Sequence, residues 1–259
     1  MSEKLKSIKE ITQMLKQGQY TNDDWEEWKQ DTRKGVMSLI AREGKKEQEK
    51  IKILQMHEEM SVLEAHYREQ GRLAIAGVDE VGRGPLAGPV VASAVILNPD
   101  VPILGLQDSK KLSHAKLNDL FDQIHKDAIS IGVGVVSSSE IDELNIYQAT
   151  KKAMQQAVEG LNVQADFLLV DAMHIPLKID QESLIKGDAR SVSIAAASIV
   201  AKVTRDRMMV KLAETYPQYG FERHVGYGTK EHLAALDQYG VTDAHRKSFA
   251  PVRDRLGLH

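Results

Sequence analysis

Apolar positions along this chain fall into two textures. Up to about residue 70 they recur at helical spacing: Leu5, Ile8, Ile11 and Leu15 lie three or four apart, and Ile51, Leu54, Leu63 and Tyr67 do so within the charged run 43–67. Between them Thr21, Asn22 and Asp23 offer cap chemistry ahead of Trp25 and Trp28, so three helices are predicted. From Gly71 onward the apolar residues come in short, increasingly β-branched runs bounded by Gly and Pro, which predicts buried strands at 73–78, 90–97, 129–136 and 167–170. Stretches opened by polar residues at 113–126, 139–161, 191–216 and 229–239 predict helices. Strands that first cluster and then alternate with helices predict a mixed α/β sheet covered on its faces. The expected division is an α-helical N-terminal extension over 1–70 and an α/β domain with C-terminal helices over 71–259.

Composition narrows the chemistry. There is no cysteine, which removes disulfides, thiolate metal sites and cysteine nucleophiles and leaves oxygen and nitrogen ligands. The net charge of −3 shows no global attraction to phosphates, so nucleic-acid binding needs a local patch. Residues 1–70 carry 13 basic and 14 acidic side chains, the balance of a solvated helical surface. Segment 186–211 carries six basic residues, among them Lys202, Arg205, Arg207 and Lys211, against Asp188 and Asp206. It reads equally as a phosphate-facing patch or as the solvated side of a helix that buries Ile194, Ile199, Val200 and Val203. The apolar runs, the longest at 86–97, are interrupted by Gly and Pro and fall well short of a membrane span of about 20 residues. With no secretory leader evident at the N-terminus, a cytoplasmic location and no membrane contact are expected.

Four acidic residues stand out by position. Asp79 and Glu80 follow an apolar strand and precede Gly82-Arg83-Gly84, Asp171 follows the strand 167–170, and Asp188 stands before a long helix. Strand ends of an open α/β sheet face the crevice where ligands bind. Taken singly, each is an ordinary turn former or helix cap. Taken together, converging carboxylates repel one another unless cations neutralise them, and an all-oxygen set selects magnesium or manganese. Two such ions about 4 Å apart clamp the attacking and leaving oxygens of a phosphodiester. His224, His232 and His245 lack the spacing of a zinc site and read as structural or surface residues, and Trp25 and Trp28 read as packing.

The string at 79–97, DEVGRGPLAGPVVASAVIL, resembles the signature of the type 2 ribonucleases H (ribonuclease HII). The similarity continues in order through Asp108-Ser109-Lys110-Lys111-Leu112, Leu169-Val170-Asp171, Lys186-Gly187-Asp188, the run 195–206 and the run 224–230, and spans about 72–253. It implies a ribonuclease H-like mixed β-sheet flanked by helices. It also implies metal-dependent hydrolysis, with Mg2+ or Mn2+, of the RNA strand of RNA–DNA hybrids. Nicking 5′ to single ribonucleotides in duplex DNA is implied too, leaving 3′-hydroxyl and 5′-phosphate ends, as ribonucleotide excision repair requires. Carried over by position, Asp79, Glu80, Asp171 and Asp188 are the catalytic and metal-binding carboxylates. Gly82, Arg83 and Gly84 lie along the ribonucleotide and its phosphates, Lys110 stands near the scissile phosphate, and Tyr227 reads the ribose–deoxyribose junction. A monomer is expected. The type 3 enzymes share fold and activity but usually carry a different tripeptide at Arg83, which favours type 2. The extension over 1–70 has no counterpart in a minimal type 2 enzyme and is associated more with type 3. Two other readings compete: a DNA integrase or resolvase, which needs no device for a 2′-hydroxyl, and a non-catalytic hybrid-binding module, which is expected to lack one of the four carboxylates.

Overall fold

Polar residues ahead of the apolar stripes start the helices by capping them. A computed structural model describes residues 5–257, and its contacts divide the chain into 1–56 and 57–259. In the first unit Ser7 and Glu10 satisfy each other's backbone amides at the start of α1 (Ile8–Gln17), and Thr21 and Asp24 do the same for α2 (Asn22–Lys29). Helix α3 (Lys34–Met60) begins here. Ile11, Trp28, Val36, Leu39 and Ile40 form this unit's core, with Trp25 packed against it, so both tryptophans pack as expected.

The run 43–67, predicted as one helix, lies in two helices. Helix α3 starts earlier and stops before Ser61, whose hydroxyl donates back to the His57 carbonyl at 2.7 Å. Such back-bonding competes with the helical ladder, and α4 (Val62–Glu69) resumes beyond it. The second unit continues through β1 (Ile75–Val81), β2 (Val90–Ile96), α5 (His114–Asp127), β3 (Ser130–Val136), α6 (Ser138–Leu144), α7 (Ile146–Glu159), β4 (Phe167–Asp171), β5 (Gln181–Leu184), α8 (Val192–Thr215), α9 (Phe221–His224), α10 (Lys230–Tyr239) and α11 (Ala250–Arg255). The stretch 139–161 divides at Asn145, which takes a positive φ of 68° and turns its side chain to accept from the Tyr147 and Gln148 amides, capping α7.

The five strands run in the order β3-β2-β1-β4-β5, antiparallel from β3 to β1 and parallel from β1 to β5. Side chains alternate across the sheet. Ala76, Val78, Leu168 and Val170 join the core that includes Ala149, Ala153, Met154 and Ala157 of α7. Ile75, Leu169 and Leu184 on the other face pack with Ile194 of α8. Gly77 makes that packing close: a Cβ there would sit 2.0 Å from the Ser193 carbonyl carbon. Only glycine lets the backbones of β1 and α8 meet.

Helix α4 packs with the second unit. Tyr67 stacks on Phe167 with ring centroids 3.9 Å apart and donates to Glu182 at 2.6 Å. Glu64, 1% exposed, accepts from the hydroxyls of Ser191 and Ser193, each at 2.6 Å, and from the Ser193 amide at 3.0 Å. Its charge sits at the N-terminus of α8, where the helix dipole favours an anion. We expect a shortened chain beginning at residue 57 to melt on the order of 10 °C above one beginning at 71, since the latter strands these donors at a loss of about 2–4 kcal/mol. Thermal unfolding of the two chains checks this, and equal midpoints would refute it.

Candidate active site

The parallel pairing of β1 with β4 builds the acidic cluster. Val78 pairs with Val170, so the next residues, Asp79 and Asp171, come side by side at adjacent strand ends, on the face turned to α8. Strand β1 runs three residues beyond the predicted 73–78 and therefore holds Asp79 and Glu80 within the sheet, and β4 includes Asp171. Asp79 accepts from the Glu80 amide at 2.7 Å, and Asp171 accepts from the Gly187 amide at 2.6 Å. The second bond ties the end of β4 to the short turn Gly187–Ala189 that carries Asp188.

Ligand oxygens of Asp79, Glu80 and Asp171 lie within 4.8 Å of one another, and Asp188 stands outside that tight group on the wall of the same cleft. The cleft holds about 290 Å3 and is also lined by Ser109, Lys110, Ser198, Lys202, Arg205 and Tyr227. Burial, then the charges of Glu80 and Asp171, push the Asp79 carboxyl well above the ordinary carboxylate range, while a hydrogen bond from Ser198 pulls it partly back. Burial also raises Glu80 against the opposing pull of Arg83, and burial with the Asp108 and Asp171 charges raises Asp188. One oxygen of Glu80, Oε2, is buried without a hydrogen-bond partner. An orphaned carboxylate oxygen beside two further carboxylates fits a hard divalent cation, which satisfies the oxygen and removes the repulsion.

The loop after β1 is held from behind by two buried arginines. Arg246, fully buried, donates to the carbonyls of Gly82 at 2.6 Å, Arg83 at 2.9 Å and Gly88 at 2.9 and 3.0 Å. Arg205, 1% exposed, donates to Pro89, Val225 and Ala87 carbonyls at 2.9, 2.9 and 3.2 Å. The basic-patch reading of α8 is corrected at this residue: Arg205 serves carbonyls inside the protein, because its helix face is the one that packs on β1 and β2. Lys202 pairs with Asp206 at 2.7 Å, and Arg207 lies over the Phe121 ring at 4.3 Å.

Arg83 is exposed beside the cleft and reaches Glu80 at 3.4 Å. Tyr227, 45% exposed, is brought against the same loop: a Cβ built on Gly84 would lie 3.5 Å from its ring. Gly226 permits this approach with φ of 88°, and a Cβ there would meet the Ala87 carbonyl oxygen at 2.4 Å. The structure thus gathers Asp79, Glu80, Asp171, Asp188, Lys110 and Tyr227 in one cleft, with Gly82, Arg83 and Gly84 at its rim. Sequence reasoning missed Ser109 and Ser198, whose hydroxyls are 3.0 Å apart beside Asp79, and Arg246. The serines lie within stretches 108–112 and 195–206 already singled out, but their chemistry is invisible without the packing of α8.

A ribonuclease H2 from Pyrococcus horikoshii OT3 superposes with a TM-score of 0.61 at 26% identity, covering 71% of this chain and 97% of that one. Fold and carboxylate cluster together define a metal-dependent nuclease of the ribonuclease H fold. The family model for ribonuclease HII matches residues 76–252, and the one for the ribonuclease HII N-terminal domain matches 7–68. Ribonuclease HII of Geobacillus thermodenitrificans (strain NG80-2) is 54% identical over 253 residues, 97% of this chain and 98% of that protein. Its counterpart in Bacillus cytotoxicus is 52% identical over 251 residues, 96% of this chain and 97% of that protein. This chain belongs to the ribonuclease HII family, a metal-dependent endonuclease family acting on RNA–DNA hybrids. Its N-terminal helices match a domain of that same family, so they do not mark a type 3 enzyme. Among the described residues, no helix is long and apolar enough to cross a membrane.

Proposed function

We propose that this enzyme, besides hydrolysing RNA in hybrids, nicks duplex DNA on the 5′ side of a single embedded ribonucleotide, leaving 3′-hydroxyl and 5′-phosphate ends. The observation that carries this reading is that the Tyr227 ring, which lines the acidic cleft, stands beside Gly84, where an added Cβ would lie 3.5 Å from it. Shape suffices to recognise a continuous hybrid, but a lone ribonucleotide demands that one 2′-hydroxyl and its neighbouring sugar be read. Glycines flanking Arg83 let backbone approach the ribose and its phosphate. The Tyr227 ring offers a flat face to the adjoining deoxyribose and a hydroxyl to the ribose or phosphate. Arg83 and Lys110 draw the phosphate toward the carboxylates.

Asp79, Glu80 and Asp171, with Asp188 completing the acidic wall, would hold Mg2+ or Mn2+. Such ions, when bound, activate water and stabilise the charge that develops on the phosphate. Burial disfavours the charges of Asp79 and Glu80, so a bound cation would be what keeps them ionised, and the Glu80 amide orients Asp79 by its hydrogen bond at 2.7 Å. Asp188, which lines the cleft outside the tight group of the other three carboxylates, is the carboxyl placed to hand a proton to the departing 3′-oxygen. All these residues come from one chain, which supports a monomer, and the substrates support a cytoplasmic role in ribonucleotide excision.

Incubation with a DNA duplex containing one ribonucleotide, with and without magnesium, tests the reading; cleavage of hybrid alone, or of all-DNA duplex, would overturn it. Tyr227→Ala is expected to lose more activity on that duplex than on continuous hybrid, with Tyr227→Phe intermediate because it keeps the ring and loses the hydroxyl. Parallel losses on both substrates with a lowered melting temperature would make Tyr227 a packing residue.

A further inference from the structure

The three histidines near the C-terminus form a buried, proton-ordered assembly behind Tyr227. His232 is fully buried and His245 is 1% exposed, and their Nε2 atoms lie 3.1 Å apart. Nδ1 of His232 lies 2.9 Å from the Tyr227 carbonyl oxygen, while Nδ1 of His245 lies 3.0 Å from the Thr242 amide.

These partners fix every proton. A carbonyl only accepts, so His232 carries its proton on Nδ1 and presents a bare Nε2. A backbone amide only donates, so Nδ1 of His245 is bare and its proton sits on Nε2, aimed at His232. The two ends of the chain, deduced separately, demand compatible tautomers at the middle: Thr242 donates to His245, His245 to His232, and His232 to Tyr227. A second proton on either ring would set two N–H groups against each other. Burial lowers both imidazoles accordingly, His245 to about 4.

The remaining backbone group of Tyr227 is held too. Its amide donates to the His224 carbonyl at 2.9 Å, and the His224 ring stacks on His232 with centroids 4.7 Å apart. Gly226 donates to Nδ1 of His224 at 3.2 Å. Tyr227 itself is half-exposed at the cleft, so its placement depends on this assembly more than on packing of its own ring.

We propose that His232 and His245 are positioning residues that, through a fixed neutral hydrogen-bond relay ending on the Tyr227 carbonyl, set the enzyme's selectivity for a lone ribonucleotide. This rests on the junction-reading role proposed above for Tyr227. The relay touches neither substrate nor carboxylates, so its effect belongs on substrate selection and not on the chemical step.

The test joins spectroscopy with a substrate ratio. In 15N-histidine NMR of the full chain at neutral pH, His232 is expected as the Nδ1–H tautomer and His245 as Nε2–H; the reverse tautomers, or a charged ring at either, would overturn the relay. His232→Phe, which removes the side-chain donor and leaves the Tyr227 carbonyl only the Thr229 amide at 2.8 Å, is expected to raise KM for the single-ribonucleotide duplex about fivefold or more while leaving kcat on continuous hybrid within about twofold. His232→Asn, whose amide can replace the Nδ1 donor, is expected to restore most of the selectivity. Equal losses by both variants on both substrates would mean a purely structural role and defeat the proposal. If Tyr227→Ala shifts the ratio and His232→Phe does not, this inference fails alone; if Tyr227→Ala leaves the ratio unchanged, the junction reading fails and this inference with it. Should His232→Phe not fold, the tautomers in the unaltered chain decide.

Discussion

Asp79→Asn is expected to cut turnover on RNA–DNA hybrid to below about a tenth of the unaltered enzyme's while leaving substrate binding largely intact. In the absence of divalent cations it is also expected to raise the melting temperature. Both results have one cause. Asp79 is 5% exposed and shares its surroundings with Glu80 and Asp171, so its charge repels its neighbours unless, as proposed, a cation neutralises it. Asparagine keeps the shape and an oxygen to accept from the Glu80 amide but removes the charge. Since the folded chain raises this carboxyl above its ordinary 3.8, the site favours folding below that pH and loses the contribution as pH rises through the higher folded value. In EDTA the gap in melting temperature between variant and parent should therefore be small near pH 4 and widen toward neutrality. Magnesium should close it by stabilising the parent alone. A variant with more than about a tenth of parental turnover would remove Asp79 from the centre of the reaction.

Arg246→Met is expected to lower the melting temperature by roughly 10 °C and to raise KM on every substrate. The guanidinium satisfies three buried carbonyls, those of Gly82, Arg83 and Gly88, through four hydrogen bonds. Methionine fills much of the space and leaves all three without a donor, at a cost of about 1–3 kcal/mol for each group. Relief of the buried charge offsets part of that loss. Burial, with Arg205 nearby, already lowers Arg246 to about 9. Arg246→Lys keeps the charge but not the planar fork, so it should recover little of the loop's order. Calorimetry and steady-state kinetics on the two variants check this, and an unchanged KM would show that the Gly82–Gly84 loop needs no anchor.

The parts of the fold legible in the sequence were those whose pattern reports burial directly. Strands β1, β2 and β4 are apolar runs because both faces of the sheet are covered there, β3 alternates buried with exposed positions such as Val133 and Val135, and all four were read within a few residues. Strand β5 was missed: it is an edge strand of sequence Gln181-Glu182-Ser183-Leu184 with only its leucine buried, so it carries no run to detect. Asp79 and Asp171 were legible as strand-end acids, although β1 continues through Asp79 because Asp79 and Glu80 still pair across to Ser93 and Ala92. Asp188 stood out by its position ahead of a long helix, whereas Lys110 and Tyr227 owed their place to the family signature, since nothing in their local pattern separates them from ordinary turn residues. Arg205 shows the opposite failure. A basic residue on a helix normally reads as solvated, and only the carbonyls of three loop residues packed around it reveal a buried role. The histidines were read as structural or surface residues; all three are buried, and spacing alone hid that His232 and His245 are hydrogen-bonded to each other.

The pairing of Asp79 with Asp171 also has a kinetic meaning. These neighbours are set by the register of two parallel strands, and parallel strands require a long crossover before they meet. Here that crossover runs through β2, α5, β3, α6 and α7, and Ser198 arrives later still on α8. The site therefore belongs to the non-local, late-forming contacts of the molecule, because closing so long a loop precedes any gain from the pairing. A chain emerging from synthesis acquires its acidic cluster only once most of its length is available. During refolding, divalent-cation binding should follow the collapse of the α7-side core, making a bound lanthanide's luminescence a clock for the final assembly of the sheet.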